Sequence, residues 1–542
     1  MKAHLLYPDR DFEWSAAAPW NEAALTADLA LNVLFDAMAQ GGACISDAAT
    51  KVVLSGVRGD LETIRYRQEI VRECLDHPDV LRDLYSVAVE AKEREKGNYL
   101  GGLKRYPHWV LRNVIEQMEM YVGMLRKLRK LIDLHGMKLT SRGWTNLCGM
   151  LQRELDDAYL ARIAAHLEQL KFPGAIVLST ALDGGNKGTD YVLHPGRFSG
   201  ETWWESQWRL LRDSVFPRRP PPLGFAVHPR DEAGARALES LRDLGIRGVA
   251  VALAQSRDHV RNFFAALRQE LGFYVGCVNL YERLTQIGET VCLPEPAAPQ
   301  DGHLSFRGLY DACLTLNLDR RVVGNDANAD GKTLIIVTGA NQGGKSTFLR
   351  SVGLAQLMMQ CGMFVPAQSF RSSLRTGLFT HYTREEDAAM KSGKFDEELS
   401  RMSDIVDHLS PHALILLNES FAATNEREGS EIGRQIITAL SDKGIRIICV
   451  THLHEMARRF FESNDGRILF LRAERLEGGA RTFRLVEGEP LPTSHGADLY
   501  NSIFGADADA GKRASIAPAG QACQPCDATG RHNSRNSEST SR

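Results

Sequence analysis

The stretch KTLIIVTGANQGGKSTFLRSVGLAQLMMQ, residues 332–360, constrains the fold more than any other. Apolar Leu334 to Val337 make a run of strand length that reads as buried on both faces. GANQGGKS, residues 339–346, follows at once and fits the spacing G-x-x-x-x-G-K-[ST]. A helical apolar pattern starts at Thr347. Strand, glycine loop and helix in that order belong to an α/β layer. Gly339, Gly343 and Gly344 let backbone amides curl around phosphates, and the helix N-terminus adds the positive end of its dipole. Ala340, Asn341, Gln342 and Thr347 complete the expected ATP-binding loop. Lys345 is placed to neutralise β- and γ-phosphate oxygens, and the Ser346 hydroxyl to ligate Mg²⁺.

Two further strands end in chemistry. HALILLNES, 412–420, places Asn418 and Glu419 after an apolar run. Open α/β sheets bind ligands at this end of their strands. Glu419 is read as the general base that orients an attacking water. Asn418 accepts a hydrogen bond at the magnesium site but brings no negative charge. RIICVTHLHEMA, 446–457, ends a third strand with Thr451 and His452. A histidine there can touch the γ-phosphate.

The rest of the chain reads as helical before this layer. DLETIRYRQEIVRECL, 60–75, carries a stripe of Leu61, Ile64, Ile70, Val71 and Leu75. From Trp109, Leu111, Val114, Met118, Tyr121, Leu125, Leu128 and Ile132 keep a 3-4 alternation, a coiled-coil seam. A helical run is expected over 144–171, two short strands over 174–196, and a break at RRPPP, 218–222. A long helix over 257–287 repeats the seam through Phe264, Leu267, Leu271, Tyr274, Val278 and Tyr281. LPEPAAPQDG, 293–302, reads as a linker. The expected parts are a helical core segment 1–95, a long-helix region 96–298, a nucleotide domain 299–504 and a disordered tail 505–542.

Composition adds exclusions. With 542 residues the chain is too long for one core, and 43% apolar and 25% charged residues fit a globular protein. No apolar run approaches the roughly 20 residues that span a bilayer. The N-terminus has no signal-peptide core. Ten scattered cysteines read as reduced thiols in a cytoplasm, and the pair Cys523 and Cys526 has no second pair to make a metal site. A net charge of -3 does not announce a nucleic-acid binder, so such binding must use local patches. Arg126, Lys127, Arg129 and Lys130 are one candidate patch, but the heptad already explains the leucines between them, and they read more readily as a solvated helix face than as a phosphate-binding one. TWWESQW, 202–208, reads more readily as core than as a stacking platform.

Together the three motifs resemble the ATPase domain of the MutS family of DNA mismatch-repair proteins. TGANQGGKSTFLR resembles that family's T-G-P-N-M-G-G-K-S-T loop, MFVPAQ (363–368) its G-x-[FY]-V-P-A strand, and THLHE its T-H-[FY]-x-E segment. NESFAATNEREG resembles D-E-x-x-x-G-T-x-x-x-[DE]-G, with Asn418 for Asp and Ala423 for Gly. LETIRYRQEIV and FFAALRQELGFYVGCVNL are similar, more loosely, to the family's core and lever segments. The resemblance implies an ABC-type P-loop fold behind a helical core and lever region, ATP and Mg²⁺ as cofactors, a homodimer with two composite sites, and DNA as partner. It also implies repair or recombination proteins as further partners. The family's trans-acting loop G-x-S-T-F-x-x-E appears as SGKFDEE: Phe395 and Glu398 match, Gly393 stands where the serine usually does, and Ser392 and Lys394 are the residues implied to reach the partner's nucleotide. The adenine is implied to sit at RRVVGND, 320–326, with Val323 and Asn325. No N-terminal mismatch-reading domain is visible, so branched or distorted DNA is expected as well as mismatches. Two alternatives stay open: a nucleotide-gated scaffold with little hydrolysis, and a related ATPase that acts on protein partners without DNA.

Overall fold

Helices occupy most of the chain up to residue 287, and strands take over beyond it. The computed structural model describes residues 1–97, 107–172, 177–184, 188–194, 227–228, 230–384, 393–475 and 481–490. Outside the described residues lie the break at 218–222, the aromatic stretch 202–208, Ser392, Cys523, Cys526 and the tail 505–542.

The first residues form no helix. Instead Leu5 and Leu6 thread into the core and are fully buried. Tyr66 and Tyr274 donate to the carbonyls of His4 and Leu5, each at 2.6 Å. Glu270 accepts from the amides of Leu5 at 2.5 Å and Leu6 at 3.3 Å. Five helices follow: α1 (Glu22–Asp28), α2 (Leu31–Ala39), α3 (Ala43–Ser55), α4 (Leu61–Asp76) and α5 (Pro78–Gly97). Asp60 caps α4 by accepting from the Thr63 amide at 2.9 Å, and the helix buries Ile64, Ile70 and Val71 of the expected stripe while Leu61 and Leu75 are half-buried.

The first long helix, α6 (Pro107–His135), starts with a proline, whose missing N–H costs nothing there. Its seam residues from Leu111 to Ile132 are buried as the 3-4 alternation requires. The expected run over 144–171 is two helices, α7 (Arg142–Glu154) and α8 (Asp157–Leu170). Asp156 separates them, because its side chain caps the second by accepting from the Tyr159 amide at 2.6 Å. Strands β1 (Val177–Leu182) and β2 (Gly188–His194) pair antiparallel. Helix α9 (Glu232–Ile287) is 56 residues long and begins 25 residues before the expected start. The added portion is mostly exposed, so it carries no seam to read; the Asp231 cap and helix-favouring Ala, Glu, Leu and Arg extend it. α6 and α9 meet through stacked Tyr121 and Phe264, ring centroids 5.8 Å apart.

Within the basic patch of α6, Lys127 is held by Glu90 at 2.8 Å and Arg129 by Asp133 at 2.9 Å. Arg126 and Lys130 are exposed.

Beyond α9 come β3 (Glu295–Ala297), β4 (Leu304–Leu309), α10 (Ala312–Leu318), β5 (Asn325–Asn328), β6 (Leu334–Thr338), α11 (Lys345–Gln360), β7 (Ser369–Ser373), β8 (Leu378–Tyr382), α12 (Lys394–Asp407), β9 (Leu414–Asn418), α13 (Glu426–Asp442), β10 (Arg446–Val450), α14 (His454–Glu462), β11 (Ile468–Arg475) and β12 (Arg481–Glu487). The larger sheet has the order β12-β11-β6-β10-β9-β8 and is parallel except for β12. A smaller sheet has the order β3-β7-β4-β5. The expected linker thus contributes β3, an edge strand, the place where Pro296 can lack an amide hydrogen.

Both faces of the parallel sheet are covered, which is why its strands are apolar runs. Ile335 and Val337 join a core that continues through α11 into the helical region. Leu334 and Ile336 face a second core with Ile437 and Met456 of α13 and α14. A Cβ at Gly353 of α11 would lie 2.6 Å from Leu416, so the helix reaches the sheet because that residue has no side chain. Arg67 joins the two regions. It donates to Leu6 O at 2.8 Å and to Cys361 O, just past α11, at 3.4 Å.

Candidate nucleotide site

The parallel register sets three strand ends side by side. Val337 of β6 pairs with Val450 of β10, which pairs with Asn418 of β9. The loop between β6 and α11 turns through Gly339 (φ 115°) and Gly344 (φ 90°). A Cβ at Gly339 would stand 2.9 Å from the Ala473 amide nitrogen, so the first turn admits no side chain. Gln342 also has positive φ, 58°. Ala340 is half-buried, Asn341 and Gln342 are exposed, and Thr347 is half-buried in the first turn of α11.

Lys345 is buried, and its ammonium donates to the carbonyls of Gly339 and Ala340, each at 2.9 Å. An ammonium has three donors, so one is left to face a phosphate. Burial pushes its pKa down, and the Glu419 carboxylate opposes that. Ser346 Oγ donates to Asn418 Oδ1 at 2.8 Å. The hydroxyl and amide oxygen expected at a magnesium ion therefore stand together.

Glu419 follows β9 with φ 56°, which swings its carboxylate out of the strand line. His452 Nε2 lies 3.2 Å from Glu419 Oε1. The hydrogen bond from His452 holds the Glu419 carboxyl below its ordinary range, with Lys345 adding to the effect. Both side chains stay partly exposed, as groups that meet a substrate must.

Beside the loop lies a cavity of about 400 Å³, lined by Val323, Asn325, Gln342, Gly344, Thr347 and Phe483 among others. Val323 is exposed at 39% and free to contact a ligand. Asn325 is used differently from expectation: its amide donates to Phe483 O at 3.4 Å and accepts from the Leu485 amide at 2.7 Å. It fastens β12 over the loop. Phe483 (φ 58°) is half-exposed at the cavity, and Arg481 donates to Gln342 Oε1. Sequence reasoning missed both, since RTFRLV shows only an aromatic in a polar strand. Lys394 opens α12 and is half-buried; among the described residues no hydrogen bond or ion pair joins it to the phosphate loop.

Residues 335–501 match the family model described as MutS domain V, and residues 59–287 that of the MutS2 N-terminal domain. The chain belongs to the MutS family. Among its relatives is the DNA mismatch repair protein MutS of Chloroflexus aurantiacus, 32% identical over 183 residues, which are 31% of this chain and 19% of that protein. The protein of the same name from Porphyromonas gingivalis is 32% identical over 185 residues, 31% of this chain and 21% of that one. The probable DNA mismatch repair protein Msh6 of Drosophila melanogaster is 28% identical over 222 residues, 39% of this chain and 18% of that one. This MutS-family chain thus spans about a fifth of the length of the curated relatives it matches.

Proposed function

We propose that this MutS-family chain binds and slowly hydrolyses ATP, and that nucleotide binding controls how its helical arms engage DNA. One observation carries the reading. A buried Lys345, the Ser346–Asn418 pair and the Glu419–His452 pair meet at the end of one parallel sheet. The loop amides and Lys345 cradle the β- and γ-phosphates. Val323 and Phe483 face the base, with Asn325 holding the strand that carries Phe483.

Glu419 takes a proton from water, and His452 orients it and faces the γ-phosphate. Glu419 is ionised at neutral pH, as a base must be. Ser346 and Asn418 are the residues that would hold magnesium, and a glycine cradle that excludes side chains fits a phosphate group. When bound, the ion would neutralise phosphate charge.

The family likeness supports a homodimer in which Ser392 or Lys394 approaches the partner's nucleotide, and work in repair or recombination on mismatched, branched or distorted DNA. Among the described residues no helix is long and apolar enough to cross a membrane.

A second reading has its own observation. The Ser346 hydroxyl meets an amide rather than a carboxylate, which weakens the ion site and favours a scaffold that binds ATP and barely turns over. A filter-binding panel of homoduplex, mismatched and branched DNA, with and without ATP, tests the DNA arm. Retention of mismatched or branched DNA should change with ATP. Equal retention of every duplex, unmoved by nucleotide, would leave the protein-partner alternative.

A further inference from the structure

Behind Glu419 lies a buried cluster that the hydrolysis reading does not use. Glu419 (φ 56°) and Phe421 (φ 66°) are both left-handed, on either side of Ser420. Side chains with a Cβ persist in that conformation only where the surroundings fix them. Glu419 N donates to Val450 O at 2.8 Å, and Thr383 Oγ1 donates to Glu419 O at 2.7 Å. Ser420 is buried and faces two acceptors of His381, Nδ1 at 2.7 Å and the carbonyl at 2.8 Å.

His381, on β8, has no exposed surface. Its Nε2 lies 3.0 Å from Glu398 O in α12. A carbonyl only accepts, so Nε2 carries the proton. Burial and the nearby Arg401 push the imidazole pKa down to about 4, so the ring is neutral, and its Nδ1 shares the single Ser420 hydroxyl proton with the His381 carbonyl. The ring stacks on Phe421, centroids 5.8 Å apart at 21°. The Glu398 carboxyl is also buried; burial raises its pKa against Arg401 and the backbone N–H groups of Phe421 and Ala423. One imidazole therefore spans the loop that aims Glu419 and the helix whose first residue is Lys394.

We infer that His381 is a positioning residue for Glu419: it locks the 419–421 loop to α12, so that movement of that helix changes the aim of the base. The kinetic part rests on the hydrolysis reading above. The test compares His381→Leu, His381→Gln and Ser420→Ala in the full chain, with Glu419→Gln as reference. His381→Leu and Ser420→Ala should lower kcat roughly tenfold or more, as misaimed groups do, while KM and the Kd of a non-hydrolysable ATP analogue stay within about twofold. Glutamine can donate where Nε2 does and accept from Ser420, so His381→Gln should keep kcat within about threefold of wild type. Amide exchange should show lost protection at 419–425 in His381→Leu, and none lost in His381→Gln or at 346–358.

Normal kcat and protection in His381→Leu would overturn the inference. So would equal loss of protection everywhere with no rescue by glutamine, which marks mere destabilisation. If wild type turns over no faster than Glu419→Gln, the hydrolysis reading fails instead. The exchange arm then decides alone: selective loss at 419–425 supports the positioning role, and unchanged protection overturns it.

Discussion

The long helices and the nucleotide site handle their backbone in opposite ways. In the helical region, left-handed residues such as Ala30 and Gln40 stand at helix boundaries: Ala30 is the N-cap of α2 and Gln40 its C-cap. Around the site they stand inside the machinery: Gln342, Glu419, Phe421 and Phe483 all have positive φ. The helices store their free energy in apolar seams, with Leu267 and Leu271 of α9 fully buried. The site accepts local strain to aim side chains, and is held by crosslinks to neighbouring strands. Substitutions should therefore act differently in the two regions: seam changes on stability, site changes on chemistry.

Four measurements bear on that contrast. Glu419→Gln should lower phosphate release by about 10²–10⁴-fold, the usual contribution of a placed base, with ATP affinity preserved. Wild-type turnover in that variant would remove Glu419 from its role. Lys345→Ala comes next. It removes a charge-assisted contact of about 1.5–3 kcal/mol, so titration should show ATP affinity falling roughly tenfold or more while the melting temperature changes little.

The third outcome belongs to the helical region. Burial pushes the Glu270 carboxyl from 4.5 up to about 7, against the pull of the Leu5 and Leu6 amides. A carboxyl whose folded pKa is raised is most favourable to folding while neutral. Its contribution is present below about 4.5 and is lost as pH rises through about 7. Glutamine keeps an acceptor for both amides and never ionises. Glu270→Gln should therefore stabilise the fold by on the order of 2 kcal/mol at pH 8 and by little at pH 5, with nucleotide affinity untouched. Denaturant melts at the two pH values check the sign; equal effects would show that the fold does not raise the Glu270 pKa. The smallest effect is expected of Asn418→Asp. It restores a carboxylate beside Ser346, so the magnesium needed for half-maximal turnover should drop about several-fold with little change in the maximal rate.

Much of the site was legible because its chemistry depends on contiguous residues. The loop 339–346 needs glycines, a lysine and a serine at fixed spacing, and the structure turns on those glycines. Asn418, Glu419 and His452 were readable as polar residues ending apolar strands. Asn325 was placed near the base, yet its amide is spent on β12, a partner 160 residues away that no local pattern reveals. Phe483, Arg481 and His381 escaped for the same reason.

The order of parts is legible along the chain: long helices with seams, then an α/β layer around a phosphate loop. It is so because helix and strand periodicities and glycine spacing are local properties of the chain. Packing between distant segments sets the rest: α9 begins 25 residues before its expected start, and residues 4–6 lie between Tyr66, Arg67, Glu270 and Tyr274. Likewise β12 closes over the loop and His381 ties Ser420 to α12. These are contacts between residues far apart in the chain, fixed by packing and by the need of buried polar groups for partners, and neither is written in any short stretch.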